Sequence, residues 1–152
     1  MAEHTTQRLT IRATPAQCFQ VVTDFDNYPQ WAADIKQVTI EERDDQGRAA
    51  RVTFRAAAFG RSTTLTLDYD YSRAPGRLEW TQARGDLTNR YDGAYSFEAV
   101  GDGDTEVTYD LDVELRVPLP GFIKRRTESR IISTALRELQ ARVEGARPTP
   151  AP

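Results

Sequence analysis

The chain has 152 residues, one cysteine, one histidine, and 20 basic against 23 acidic side chains for a net charge of −3. One domain of this size can bury most of the surface its unfolded chain exposes. A single cysteine excludes an internal disulfide and a cysteine zinc cluster, a single histidine (His4) argues against Ser-His pairs and imidazole metal sites, and the acidic balance argues against nucleic-acid binding by bulk charge.

Thr5 to Arg12 alternates, with Leu9 and Ile11 on one face, and is expected to be a strand. Thr14-Pro15-Ala16-Gln17 then reads as a helix start. Thr14 can cap, Pro15 suits the first helical position, and Gln17 completes a capping box. Phe19, Val22 and Phe25 follow at helical spacing. In Asp24 to Trp31, Pro29 forces a bend between two aromatics, Tyr28 and Trp31, whose area is too large to leave in water. A second short helical turn is expected from Tyr28 to Ala33.

From Ile35 onward the period changes to two, and six antiparallel strands joined by short turns are expected. Val38 and Ile40 share a face before the turn at Asp44-Asp45-Gln46-Gly47. Val52, Phe54 and Ala56 come next, and Phe59-Gly60-Arg61-Ser62 turns the chain again. Leu65, Leu67, Tyr69 and Tyr71 follow, then Ala74-Pro75-Gly76, then Leu78 and Trp80. Gly85-Asp86 leads into a long strand from Thr88 to Val100. Gly101-Asp102-Gly103-Asp104 closes the last hairpin, which Val107, Tyr109, Leu111, Val113 and Leu115 complete.

A tight turn at Gly60-Arg61 would pair Phe54 with Leu67, Val52 with Tyr69, Thr53 with Asp68 and Arg51 with Asp70, matching apolar to apolar and charge to opposite charge. The Pro75-Gly76 turn would then set Tyr71 near Trp80, Tyr69 near Gln82 and Leu67 near Arg84. The last hairpin sets Tyr95 near Tyr109 and Gly93 near Leu111. On this register Tyr69, Tyr71, Tyr91, Tyr95 and Tyr109 share an inner face with Gln82, Arg84 and Asn89. Each tyrosine alone reads as core. Together with amide and cationic groups they need partners, and the face reads as the lining of a pocket. Arg84 has a plainer alternative, a strand-end side chain reaching back to water. Gly93, in mid-strand, is where such a sheet could bend.

Pro118-Leu119-Pro120-Gly121 breaks the alternation. Phe122, Ile132, Ala135, Leu136, Leu139 and Val143 then fall on one stripe, and a final helix of about six turns is expected. Gly145 ends it, and residues 146–152 form an expected flexible tail beyond a single domain at 1–145. Lys124, Arg125, Arg126 and Arg130 load the first half of that helix with cations, against its macrodipole. They are either offset by Glu128 and nearby strand aspartates, or they meet an anionic membrane or an acidic protein. Cys18 reads as a packing residue, and no calcium loop, metal or cofactor is expected. No apolar run reaches the ~20 residues of a membrane span, and no basic-then-apolar leader opens the chain, so a cytoplasmic location is expected.

The order of strand, two short helices, six strands and long helix resembles the START-like helix-grip (SRPBCC) superfamily, within it the polyketide cyclase/dehydrase and coenzyme Q-binding group. The residues that carry the resemblance are Asp24 with Tyr28-Pro29-Gln30-Trp31, Gly93-Ala94-Tyr95-Ser96-Phe97, Thr105-Glu106-Val107-Thr108-Tyr109 and Pro118-Leu119-Pro120-Gly121-Phe122. The resemblance implies an α+β fold, a strongly curved sheet of about seven strands wrapped around the long C-terminal helix, with an internal hydrophobic cavity. It implies a lipid, isoprenoid quinone or polyketide-like ligand. The expected walls are Phe54, Leu67, Tyr69, Tyr71, Trp80, Gln82, Arg84, Tyr91, Tyr95, Tyr109, Ile132 and Leu136, with Tyr28 and Trp31 at the entrance. Binding without catalysis is the leading reading. The alternatives are a polyketide aromatase/cyclase or dehydrase, with Arg84, Tyr95 and Tyr109 as candidate acid/base groups, and a protein-interaction role like that of ribosome-association toxins. Family cyclases carry tryptophan and arginine on the middle strands where this chain has Leu65, Leu67 and Tyr69, which weakens the enzymatic reading.

Overall fold

The structure, a computed structural model, describes residues 4–58 and 60–145, so the tail expected at 146–152 lies outside it. Local signals set the first elements. Strand β1 (Thr5–Ile11) runs into helix α1 (Pro15–Thr23), where the Gln17 amide donates to Thr14 Oγ1 at 3.2 Å and the Thr14 amide donates to Gln17 Oε1 at 2.9 Å. This reciprocal box satisfies two of the donors that a helix start leaves open. The second helical piece is a 3-10 segment, Phe25–Gln30, which starts earlier than the expected Tyr28 and ends before Ala33. Pro29 has no amide hydrogen to give, and the turn tightens onto short-range bonds such as Asn27 amide to Asp24 carbonyl. Tyr28 donates its hydroxyl to the Val22 carbonyl, which folds the segment back on α1.

Six further strands follow: β2 (Ile35–Arg43), β3 (Ala49–Ala58), β4 (Arg61–Asp70), β5 (Arg77–Gly85), β6 (Thr88–Val100) and β7 (Asp104–Leu115). With β1 they form one curved antiparallel sheet in the order β1-β7-β6-β5-β4-β3-β2. Helix α2 (Gly121–Gly145) lies on β1 and β7 and against α1, burying Ile132, Leu136, Leu139 and Val143. The 3-10 segment packs by β2. Glu128 fixes the grip: it is 1% exposed, accepts from Thr5 Oγ1 and the Val113 amide at 2.7 Å each, and takes Lys124 Nζ at 2.6 Å. This is the helix-grip fold.

The register differs from expectation in an instructive way. At the β3–β4 turn Ala58 stands opposite Arg61, with Gly60 at φ +74°. Every partner therefore moves by two residues: Val52 faces Leu67, Phe54 faces Leu65, and Arg51 faces Asp68 rather than Asp70. A slip of two keeps each side chain on its expected face, because strand faces repeat every two residues. The Arg51 guanidinium meets Asp68 through two hydrogen bonds, of 2.7 and 3.0 Å. The β4–β5 pairing moves likewise, with Tyr69 opposite Trp80 and Leu67 opposite Gln82. Beyond that point a bulge intervenes, and Arg84 falls opposite Thr66. The last hairpin pairs Tyr95 with Tyr109 and Gly93 with Leu111, as expected.

Candidate functional site

Trp80 organises the inner face. Its ring lies over Gly93, where an added Cβ would come within 2.7 Å of Trp80 Cζ2 and collide with the Asp110 carbonyl oxygen of β7. Glycine is thus the residue that lets an indole lie flat on the sheet. Ring centroids of Tyr69, Tyr95 and Tyr109 stand 6.0, 5.5 and 5.5 Å from that of Trp80, and Tyr95 and Tyr109 meet edge to face at 4.6 Å. The chain of rings continues through Phe25, 4.7 Å from Tyr69, to Tyr28, and from Tyr28 to Trp31 at 4.8 Å and to Phe54 at 5.8 Å. Phe54, Leu67, Ile132 and Leu136 are buried in the same apolar cluster.

The polar atoms within this cluster are unevenly served. Trp80 Nε1 is the one buried side-chain polar atom without a hydrogen-bond partner among the described residues. A desolvated donor left unpaired costs about 1–3 kcal/mol. The Tyr71 hydroxyl donates to the Ala49 carbonyl at 2.8 Å, with the Arg48 guanidinium 4.6 Å from its ring centroid, and Tyr28 serves the Val22 carbonyl. The Tyr91 and Tyr109 hydroxyls interact with each other. Burial pushes the phenols of Tyr71 and Tyr91 up to about 12, and it also raises those of Tyr28, Tyr69, Tyr95 and Tyr109 well above the ordinary tyrosine value. At neutral pH the face therefore presents hydrogen-bond donors, not bases.

One expected wall residue leaves the aromatic face, and a second is bonded at its margin. The extra residue at the β5 bulge reverses the alternation, so Arg84 turns to the other side of the sheet, where it is 60% exposed and donates to Glu41 Oε2 at 2.9 Å. Gln82 is spent locally: its side chain donates to the Thr88 carbonyl at 2.8 Å and accepts from the Thr88 hydroxyl at 2.5 Å. Both line a polar groove of about 810 Å³ shared with Glu41, Thr53, Thr66 and Arg116, apart from the tyrosines. Asn89, projected inward, is exposed beside a register shift in β6. Residues not anticipated are Phe25 and Phe97. Phe97 stacks on Tyr95 at 5.9 Å, and Phe25 was visible as the third apolar residue of the Phe19 to Phe25 helical spacing.

The basic run divides. Lys124 is held between Glu128 and Asp112, the latter at 3.0 Å, whereas Arg125, Arg126 and Arg130 are exposed. Phe122, expected on the inner stripe of the helix, is 60% exposed, since the first turn of α2 extends past the cover of the sheet. Cys18 is buried and its thiol is pushed up by burial, which makes it a packing residue. Among the described residues no group of three or more histidine, cysteine or acidic side chains could hold a metal, and no helix is long and apolar enough to cross a membrane.

Comparison with known proteins agrees with this architecture. The protein-family model for polyketide cyclase/dehydrase and lipid transport matches residues 2–144. A START superfamily protein from Mycobacterium smegmatis is similar at 24% identity and a TM-score of 0.91, over 95% of this chain and 99% of that one. A protein from Thermus thermophilus is 20% identical at a TM-score of 0.79, over 96% of this chain and 100% of that one. The Zhui aromatase/cyclase from Streptomyces sp. R1128 is 16% identical, also at 0.79, over 95% and 94% of the two chains. No curated protein matches the chain.

Proposed function

The chain belongs to the polyketide cyclase/dehydrase and lipid transport family, and from that premise we propose that it binds a hydrophobic small molecule between the curved sheet and α2, without transforming it. The ligand is lipid-, isoprenoid quinone- or polyketide-like, and it carries an oxygen acceptor. One observation supports this most directly: the buried Trp80 Nε1 has no protein partner among the described residues, and the rings of Tyr69, Tyr95 and Tyr109 stand around the indole. A carbonyl or ether oxygen would satisfy that donor, while the rings supply apolar contact. The non-catalytic reading rests on chemistry. Cyclisation or dehydration needs a group that accepts a proton, and these phenols are all held protonated by burial. Arg84, a candidate acid/base group on the expected register, is turned away.

Native mass spectrometry of protein purified from its own host, followed by lipid extraction, tests the proposal. A co-purifying quinone, lipid or polyketide is expected. Trp80→Phe, which keeps an aromatic ring and removes the donor, should weaken binding of that ligand about tenfold, read by calorimetric titration. An empty protein that turns over a poly-β-ketone, with turnover lost in Tyr95→Phe or Tyr109→Phe, would replace binding by cyclisation.

A further inference from the structure

Among the described residues, the three large apolar side chains that stand exposed all lie in one short segment: Val117 at 70%, Leu119 at 37% and Phe122 at 60%. It joins β7 to α2. Soluble surfaces scatter exposed apolar residues, and a cluster of them on one loop marks a contact site. Pro118 and Pro120 restrict the backbone between these residues, which limits the ways the loop can fold its side chains inward.

The charge around this loop runs against that of the whole chain. Between Glu114 and Glu128 lie Arg116, Lys124, Arg125 and Arg126 and no acid, in a chain of net charge −3, although Lys124 is paired with Asp112 and Glu128. Arg125 and Arg126 stand three and four positions after Phe122, hence on its side of the helix, and Arg130 continues that row one turn further. Apolar side chains at the tip with arginines behind them match the profile of a bilayer interface. There rings and aliphatic groups enter the acyl boundary, and guanidinium groups meet phosphates. A cleft of about 290 Å³ beside the loop is lined by Glu114, Val117, Leu119, Lys124 and Thr127, and it reaches Val113 of the buried cluster.

We propose that the β7–α2 loop and the start of α2, with Val117, Leu119 and Phe122 as the apolar tip and Arg125, Arg126 and Arg130 as the cationic collar, dock the protein on anionic phospholipid membranes. The docking is peripheral. It goes beyond ligand binding and stands whether or not the cavity holds a ligand.

Co-sedimentation of the full chain with vesicles of phosphatidylcholine, with and without phosphatidylglycerol, tests this at low and high salt. The wild type should partition onto the anionic vesicles at low salt and be released by high salt. Arg126→Glu with Arg130→Glu should lower the partition coefficient about thirtyfold, and Phe122→Asp at least about tenfold. Arg137→Glu, an exposed arginine further along α2, should leave it unchanged. Thermal melting checks that these surface variants stay folded. Absence of wild-type partitioning overturns the proposal, as does equal loss in Arg137→Glu. Loss in the arginine variant with none in Phe122→Asp also overturns it, and would leave electrostatic adsorption without insertion of the apolar tip. Ligand titration without vesicles is expected to be the same in all variants, so failure of docking and failure of cavity binding are told apart.

Discussion

At the scale of single residues, Gly93 and Trp80 form one unit. The indole can rest on β6 only because position 93 carries no side chain, and the Asp110 carbonyl closes the same space from β7. Gly93→Ala must shift the backbone of β7 or lift the indole. A stability loss of about 1–3 kcal/mol is expected, measured as a lower denaturant midpoint with an unchanged slope. From the sequence Gly93 was expected as a place where the sheet could bend, and the close approach of an indole was not foreseen, because the contact depends on which residue of β5 lies opposite. Tyr28 and Trp31 were legible as a ring pair needing cover. Their place in the chain of rings through Phe25 follows from packing that no spacing rule contains.

At the scale of elements, α2 is attached by a polar pin as well as by its apolar stripe. Glu128 collects a threonine hydroxyl from β1, an amide from β7 and the ammonium of Lys124. Removing it leaves the Val113 amide unpaired in the core and Lys124 without its closest counter-charge. Glu128→Ala should therefore cost about 3 kcal/mol or more, with faster hydrogen exchange at the Val113 amide before global unfolding. The sequence showed Glu128 only as a charge offset for the basic run, since alternation and helical spacing do not report burial of an acid. The succession of antiparallel strands from β2 to β7 was legible, and so were the inner faces away from the irregularities in β5 and β6, because period-two patterning survives the two-residue slip between β3 and β4. The bulge before Gly85 was not legible. One inserted residue moved Arg84 to the opposite face and took with it the cation expected in the site.

At the scale of the whole molecule, all six tyrosines have phenols raised by burial. A group raised in the folded state above its unfolded value holds its proton for the fold. That stabilisation is complete below about pH 10, the unfolded value, and is lost as pH climbs through the folded values. For Tyr71 and Tyr91 these are about 12. Tyrosinate absorbance should thus stay silent in the native protein near pH 10 and rise in one step with the loss of circular dichroism. Six separate titrations within a folded protein would contradict it. The same alkaline step should move upward when a ligand occupies the aromatic face, since a ligand bound only by the folded state adds to its stability.

Pairing between β5 and β6 runs from Arg77 opposite Ser96 to Trp80 opposite Gly93, and beyond it the Gln82 amide turns to the Asp92 carboxylate at 2.9 Å. The sheet is unlaced along this seam. Between Trp80 and the short turn from Gly85 to Thr88, the two strands are held by the Gln82 bonds to Asp92 and Thr88 and by no ladder pair, so a guest seated against Trp80, as proposed, would separate them there at the cost of those bonds. A binding face bordered by such a stretch would sort guests poorly by width. If the proposed binding holds, discrimination among guests comes from where their oxygen atoms fall relative to the Trp80 indole, and molecules of quite different bulk that place an oxygen alike are expected to compete in a displacement titration.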